Sequence, residues 1–384
     1  MSRSWPPFVL AVLALLLGCD PGPPGSGDDP EQMVTIPAEQ ARTLELDEWG
    51  LEGDDELGEL ADLALLPGGG VALLDRLAAV VLVFGPQGRE VARIGGPGEG
   101  PGEFTPQGIS TVVATDSTLV VPDIQLQRVT RFTLEGQVLD SEDLAAAAGP
   151  EGGIFGVGWQ AHPQGGLVLL ELSPRGQQVL RFLDGELESL HTFDLPPPEP
   201  NQILPPSPVW AMDAEGRLLV GRTDRAEVSL IAREGDDPIW TARWPDREGT
   251  ELSSQEEEHL EELVAESAQA RGMPPVSVTL PGEAPILAGA LAHPEGGVWV
   301  QRARPVSEMG LSALQVGGTE GFGGQIWDVL DSQGRGVEAV RLPLGFLPRS
   351  FGPAEAGGQS CLYGILEDDV GIRTARRVCP QEGR

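Results

Sequence analysis

Apolar residues in this chain come in short runs separated by turns, and many of those runs do not alternate with polar residues. Val80-Val81-Leu82-Val83 and Leu167-Val168-Leu169-Leu170 are apolar at every position. They are too short for helices of ordinary length, and their flanks are rich in glycine, as in Pro67-Gly68-Gly69-Gly70 and Gly165-Gly166. Short β-strands buried on both faces account for such runs. Three strands and their Gly turns recur as a unit. The predicted strands are 60–66, 71–74 and 80–84; 109–114, 119–121 and 128–132; 156–161, 167–170 and 178–182; 209–213, 218–221 and 227–231; 286–292, 298–301 and 325–330; and 345–351, 361–366 and 372–378. The landmarks Phe84, Phe132, Phe182 and Ala232 are spaced by 48, 50 and 50 residues. Ala232 to Val329 spans 97, one unit with a long arm inside it, and Val329 to Ala375 spans 46. A repeat near 50 residues, with four short strands per unit, predicts an all-β fold: a six-bladed β-propeller. A sandwich does not usually repeat at this period, and a β-helix repeats at a shorter one.

The last unit supplies only three strands before the chain ends. The segment 33–46 contains Met33-Val34-Thr35-Ile36 and Arg42-Thr43-Leu44-Glu45-Leu46 and is expected to complete the last blade, leaving no open edge. The hairpin between 361–366 and 372–378 has its tip near Val370, which sets Cys361 opposite Cys379 and predicts a disulfide that staples the closing blade. One stretch breaks the β pattern. Residues 253–271 read as a helix inserted between blades four and five, with a capping box from Ser253 and Glu256 or from Ser254 and Glu257, and Gly272 as terminator. Leu260, Leu263 and Val264 give it a narrow apolar stripe, suited to packing on the rim between those blades.

The N-terminus carries a different signal. Arg3 precedes the apolar run from Phe8 to Leu17, which matches a signal-peptide core and is short for a membrane span. It ends in Leu16-Leu17-Gly18-Cys19, which looks like a bacterial lipobox. The expected organisation is a lipoprotein signal peptide at 1–18, a lipid on the thiol of Cys19, an unstructured tether at 19–32 and the propeller at 33–384. The tether, Asp20-Pro21-Gly22-Pro23-Pro24-Gly25-Ser26-Gly27-Asp28-Asp29-Pro30, has too little apolar surface to fold. The remaining cysteine pair suits an oxidising compartment. The expected location is the bacterial cell envelope, facing the periplasm or the exterior, with the lipid as the only membrane contact.

Composition narrows the functional classes. The 52 glycines and 35 prolines, spread along the whole chain, fit many turns. All 25 basic residues are arginine, against 59 acidic ones, for a net charge of −34. Such a surface excludes nucleic acid and direct adhesion to anionic lipid, which both demand a basic face.

The run Arg93-Ile94-Gly95-Gly96-Pro97-Gly98-Glu99-Gly100-Pro101-Gly102-Glu103-Phe104 resembles the GPGEF connector of bacterial six-bladed, NHL-like propeller lipoproteins, where it also links the first two blades. Further likenesses are Pro285-Ile286, the stretch Pro294-Glu295-Gly296-Gly297-Val298-Trp299-Val300, and the charged helix before them. The resemblance covers about residues 45 to 380. The aspartates that follow the second strand, Asp75 and Asp123, fit the pattern, and later blades lose them. The resemblance implies fold and export and is silent on activity, because propellers host unrelated functions. The connector is not a phosphate loop: it lacks a lysine and carries Glu99 and Glu103.

His162, His191, His259 and His293 lack metal-binding spacing, and His162 and His293 occupy equivalent turns before Pro163 and Pro294. Neither a G-x-S-x-G elbow nor an EF-hand loop occurs. The sequence therefore points to a non-enzymatic binding or scaffold module, monomeric and without a cofactor, whose partner is an envelope protein, peptide or glycan. Glu103 and Trp159 are its candidate channel-facing residues. The alternative is a hydrolase like the calcium-dependent six-bladed lactonases, whose channel ions are held by Glu, Asn and Asp. Asn201 is the only asparagine here, which departs from that pattern.

Overall fold

The computed structural model describes residues 31–47, 49, 51, 57–144, 155–163, 165–172, 178–185, 187–194, 202–232, 237–247, 250–274, 277–314, 321–352 and 360–379. Cys19, the signal segment at 1–18 and positions 19–30 of the expected tether lie outside the described residues, whereas Glu31 and Gln32, expected to end that tether, are paired in a strand. Before the first blade come two short strands, β1 (Glu31–Met33) and β2 (Arg42–Thr43). Six small antiparallel sheets follow in chain order. The first is β3 (Leu60–Leu65), β4 (Val71–Asp75), β5 (Val80–Phe84) and β6 (Glu90–Gly95). The second is β7 (Val113–Ala114), β8 (Thr118–Asp123), β9 (Arg128–Thr133) and β10 (Val138–Asp143). The third is β11 (Phe155–Ala161), β12 (Leu167–Leu172), β13 (Gln178–Leu183) and β14 (Ser189–Asp194). The fourth is β15 (Pro208–Met212), β16 (Leu218–Arg222), β17 (Glu227–Ile231) and β18 (Trp240–Arg243). The fifth is β19 (Leu287–Ala292), β20 (Val298–Ala303), β21 (Gly323–Leu330) and β22 (Gly336–Arg341). The sixth has three strands, β23 (Phe346–Gly352), β24 (Cys361–Glu367) and β25 (Arg373–Val378). This is the six-bladed propeller that the repeat predicts.

The burial pattern explains the non-alternating runs. Every position of β4 and β5 is buried, because each blade presses one face on the blade before it and the other on the blade after it. Leu74, Val81 and Val83 pack toward Leu119, Val121 and Phe132 of the second blade, while Leu73, Leu82 and Phe84 pack toward Ile365 and Ala375 of the sixth. The outer strands β6 and β10 are largely exposed and correspondingly polar.

The connector from the first to the second blade is an interblade crossing. Phe104 is fully buried and meets Phe132 edge to face at 5.8 Å between ring centroids. Gly95 holds φ +92°, and a Cβ there would sit 2.5 Å from the Phe104 ring, so this position requires glycine. Asp75 and Asp123 tie the crossings to their blades. Asp75 accepts from the backbone N–H groups of Gly58, Glu59 and Ala78, and Asp123 from those of Thr105, Gln125 and Leu126. In the fourth blade Thr223 stands in this role, its hydroxyl accepting from the Ser207 N–H at 3.0 Å.

The N-terminal segment departs from expectation. It does not form the fourth strand of the last blade. β1 pairs in parallel with β18, β2 pairs in parallel with β22, and only Leu46 bridges Val378 of β25. Residues 31–47 thus clasp the outer edges of three successive blades. Pro37 cannot donate to a ladder, and a 3-10 turn over Ala38–Gln40 follows it, so one continuous strand is impossible. The apolar residues instead act as wedges. Val34 packs among Trp240, Trp244 and Ile286, and Leu44 among Val340, Leu342 and Val378.

The ring closes between the sixth and first blades through side chains. Trp49 meets Tyr363 edge to face at 5.1 Å, and Leu60, Leu63 and Val71 share a core with Ile365 and Ala375. Arg377 donates to Asp47 at 2.7 Å. Cys361 and Cys379 are joined by a disulfide next to the Leu362–Val378 pair of the β24–β25 hairpin.

The helix α1 (Ser254–Ala270) lies in the connection between β18 and β19, from the fourth sheet to the fifth. Ser253 is its N-cap in a capping box with Glu256, and Gly272 follows it at φ +64°. Leu260 and Leu263 pack on Leu204, Ala288, Val306 and Phe322, and His259 bonds the Met309 carbonyl at 3.0 Å.

A candidate ligand channel on the propeller axis

The innermost strands of the six blades, β3, β7, β11, β15, β19 and β23, enclose a channel of about 1090 Å³. A cavity of that size accommodates a small ligand or a short chain segment. Strand alternation decides what it presents, since every second residue of an innermost strand points to the axis.

Two kinds of wall face each other. On one side, Asp62 of the first blade pairs with Arg349 of the sixth, Arg349 Nε lying 2.8 Å from Asp62 Oδ1. The second oxygen, Oδ2, accepts from the Thr111 hydroxyl at 2.9 Å and from the Val112 N–H at 3.1 Å. This polar seam joins blades six, one and two around a buried carboxylate. Burial pushes the Asp62 carboxyl above its ordinary value, more than Arg349 and the hydrogen bonds from Val112, Thr111 and Leu63 draw it down. Across the ring stand Trp159 of the third blade and Trp210 of the fourth, both lining the channel. In a six-membered ring the fourth blade lies opposite the first, and the third opposite the sixth. The tryptophans therefore confront the ion pair.

The two mouths are charged. Glu59 with Arg76, and Glu367 with Arg373, form ion pairs at one end. At the other end Asp213 accepts from Arg217 Nε at 2.6 Å, and His293 meets Phe351 edge to face at 4.7 Å between centroids. Burial lowers the His293 pKa from its ordinary value, with Glu295 opposing. Its Nδ1 accepts the Glu295 N–H at 3.3 Å, as a turn cap does. His162 holds the equivalent turn in the third blade, both histidines closing their turns through backbone bonds to Gly166 and Gly297. The side chain of His191 lies outside the described residues.

Of the two residues singled out from sequence, Trp159 lines the channel and Glu103 does not. Glu103 is exposed in the connector, where its carboxylate accepts the Gly100 N–H at 2.8 Å. The connector follows the outermost strand β6, so a residue there starts far from the axis. Sequence pattern alone does not single out Asp62, Arg349 or Trp210. Asp62 and Arg349 are 287 residues apart. The available signal was one charged residue within each of two inner strands, Leu60–Leu65 and Phe346–Gly352. Among the described residues no group of three His, Cys, Asp or Glu side chains is placed to hold a metal ion, and no helix is long and apolar enough to cross a membrane.

No protein-family model and no curated protein sequence matches this chain. Its fold is similar to that of a Bacteroides fragilis protein named as exported, with 11% identity and a TM-score of 0.51, over 92% of this chain and 99% of the other. Virginiamycin B lyase from Staphylococcus aureus is 11% identical over 88% of this chain and 90% of its own, with a TM-score of 0.45. A luciferin-regenerating enzyme is 11% identical over 85% and 94%, also at 0.45. The first of these likenesses supports the propeller fold, and none of them speaks to chemistry.

Proposed function

We propose that this chain is a lipid-anchored protein of the bacterial cell envelope whose propeller is a non-enzymatic binding module, with the axial channel as its ligand site. The lipobox-like Leu16-Leu17-Gly18-Cys19, the polar tether after it and the NHL-like connector support the anchored, exported form. The observation that carries the binding reading is the divided channel wall. Trp159 and Trp210 offer aromatic faces, and the Asp62–Arg349 seam opposite them offers hydrogen-bonding groups fixed by three blades. Tryptophan surfaces bury much area at little entropic cost, and fixed polar groups set orientation. A peptide or glycan segment of the envelope matches that pairing.

The test is photocrosslinking of the full-length protein in a bacterial host, with a photoreactive residue at position 210. A discrete adduct that is lost when Trp159→Ala is added supports the reading; labelling that ignores Trp159→Ala refutes it. Cys19→Ser is expected to move the protein from the membrane fraction to the soluble one. Metal analysis after dialysis without chelator addresses the calcium-hydrolase alternative. One tightly held calcium per chain, with stability lost in chelator, would displace the binding reading.

A further inference from the structure

A second cavity, of about 500 Å³, lies away from the axis where the N-terminal clasp crosses the junction of the fourth and fifth blades. Its apolar wall includes Trp244, Ile286 and Val306, each buried among core residues. Two arginines, Arg247 and Arg304, reach the same space. Among the described residues neither arginine forms an ion pair, although Asp246 and Glu256 line the same cavity. The Arg247 guanidinium is half-buried with no hydrogen-bond or ion-pair partner among the described residues. Arg304 donates only to the carbonyl of Gly323, at 2.9 and 3.0 Å.

A third arginine stands behind them. Arg302 is 2% exposed and bonds Asp328 and the carbonyl of Ile36, and its Nη1 is buried without an acceptor. Burial and the charge of Arg302 both oppose the cationic form of Arg247, against weaker help from Asp328 and Asp246. An anion entering this cavity would relieve that opposition.

We infer that this cavity binds a small organic monocarboxylate, whose charged end pairs with Arg247 and Arg304 and whose apolar body rests on Trp244, Ile286 and Val306. A guanidinium fork matches the two oxygens of a carboxylate. A phosphoryl group fits less well, because Asp246 and Glu256 line the same cavity and repel a second negative charge. Ile36, part of the clasp, also lines it, so a bound ligand would join the clasp to the fifth blade.

The probe is hexanoate, titrated calorimetrically into the full-length protein, with hexanamide and inorganic phosphate as comparisons. One hexanoate per chain is expected, with hexanamide binding at least tenfold more weakly and phosphate failing to displace it. Arg247→Gln is expected to weaken binding tenfold or more. Thr250→Glu, at an exposed position on the cavity wall, places a competing carboxylate in the cavity that Arg247 lines and is expected to do the same without removing a core side chain. The inference is overturned if hexanoate and benzoate both fail to bind. It is equally overturned if hexanamide binds as well as hexanoate, if phosphate displaces hexanoate, or if both variants bind like the parent.

Discussion

Replacing Asp328 by alanine is expected to be among the most damaging single changes in the molecule. Asp328 is fully buried, and Arg302 nearly so. The carboxylate takes Arg302 Nε on Oδ2 at 2.8 Å and the Trp244 indole N–H at 2.7 Å, while Arg302 Nη2 reaches both Oδ1 and the Ile36 carbonyl. Four parts of the chain meet there: β20, β21, the exit from β18 and the clasp. Without the carboxylate, a buried guanidinium loses its counter-charge, which costs about 3–5 kcal/mol in comparable sites. The stranded indole N–H adds a share of the roughly 1–3 kcal/mol of an unsatisfied buried donor. Because the two losses overlap, about 4 kcal/mol is the working figure. With a urea slope of about 3 kcal/mol/M, the midpoint falls by roughly 1.3 M. Urea unfolding followed by circular dichroism measures it. The double variant Arg302→Met with Asp328→Leu removes the charge along with its partner, and should recover most of the loss. A loss below about 1 kcal/mol for Asp328→Ala, or a double variant no better than the single one, would refute the role of Asp328 as a buried counter-charge.

Three further outcomes are expected. Cys361→Ser with Cys379→Ser opens a loop of 18-residue separation and should lower stability by about 3 kcal/mol, read as a denaturant midpoint that no longer responds to reductant. Asp62 has a folded-state pKa above the ordinary 3.8, so its protonated form contributes stability that is fully present below 3.8 and lost as pH rises through the raised value. Asp62→Asn should therefore flatten the fall in stability just above pH 4; an unchanged pH profile would show that burial does not dominate there. Gly95→Ala meets both a left-handed backbone and the Phe104 ring, and should cost at least about 2 kcal/mol in an unfolding titration.

The propeller was legible because its signal is local and repeated. β4, β5 and β12 announce themselves as unbroken apolar runs between glycine turns, and the 50-residue spacing needs no long-range information. The capping box at Ser253 and the facing of Cys361 and Cys379 are likewise matters of short spacing. The clasp was not legible. Met33 to Leu46 reads as strand material, but which blade edge it joins depends on where Val34 and Leu44 find room between blades. The channel was legible only in part. Trp159 follows from its place on an inner strand, whereas Asp62 and Arg349 acquire meaning only once the ring has closed and set the sixth blade beside the first.

The clasp also decides how the molecule answers a mechanical pull. Tension on the chain from its N-terminal side arrives at Glu31 and meets the three residue pairs that join β1 to β18. Beyond them it meets the Val34 wedge and the bond from Arg302 to Ile36, then β2 on β22, and last the bridge at Leu46. These attachments are in series, so they yield one after another, each releasing a few residues of slack before the next is strained. None of them is a contact that holds one inner strand to another. The ring and its channel can thus stay intact while residues 31–47 are drawn off the blade edges, and the clasp works as a fuse ahead of the propeller.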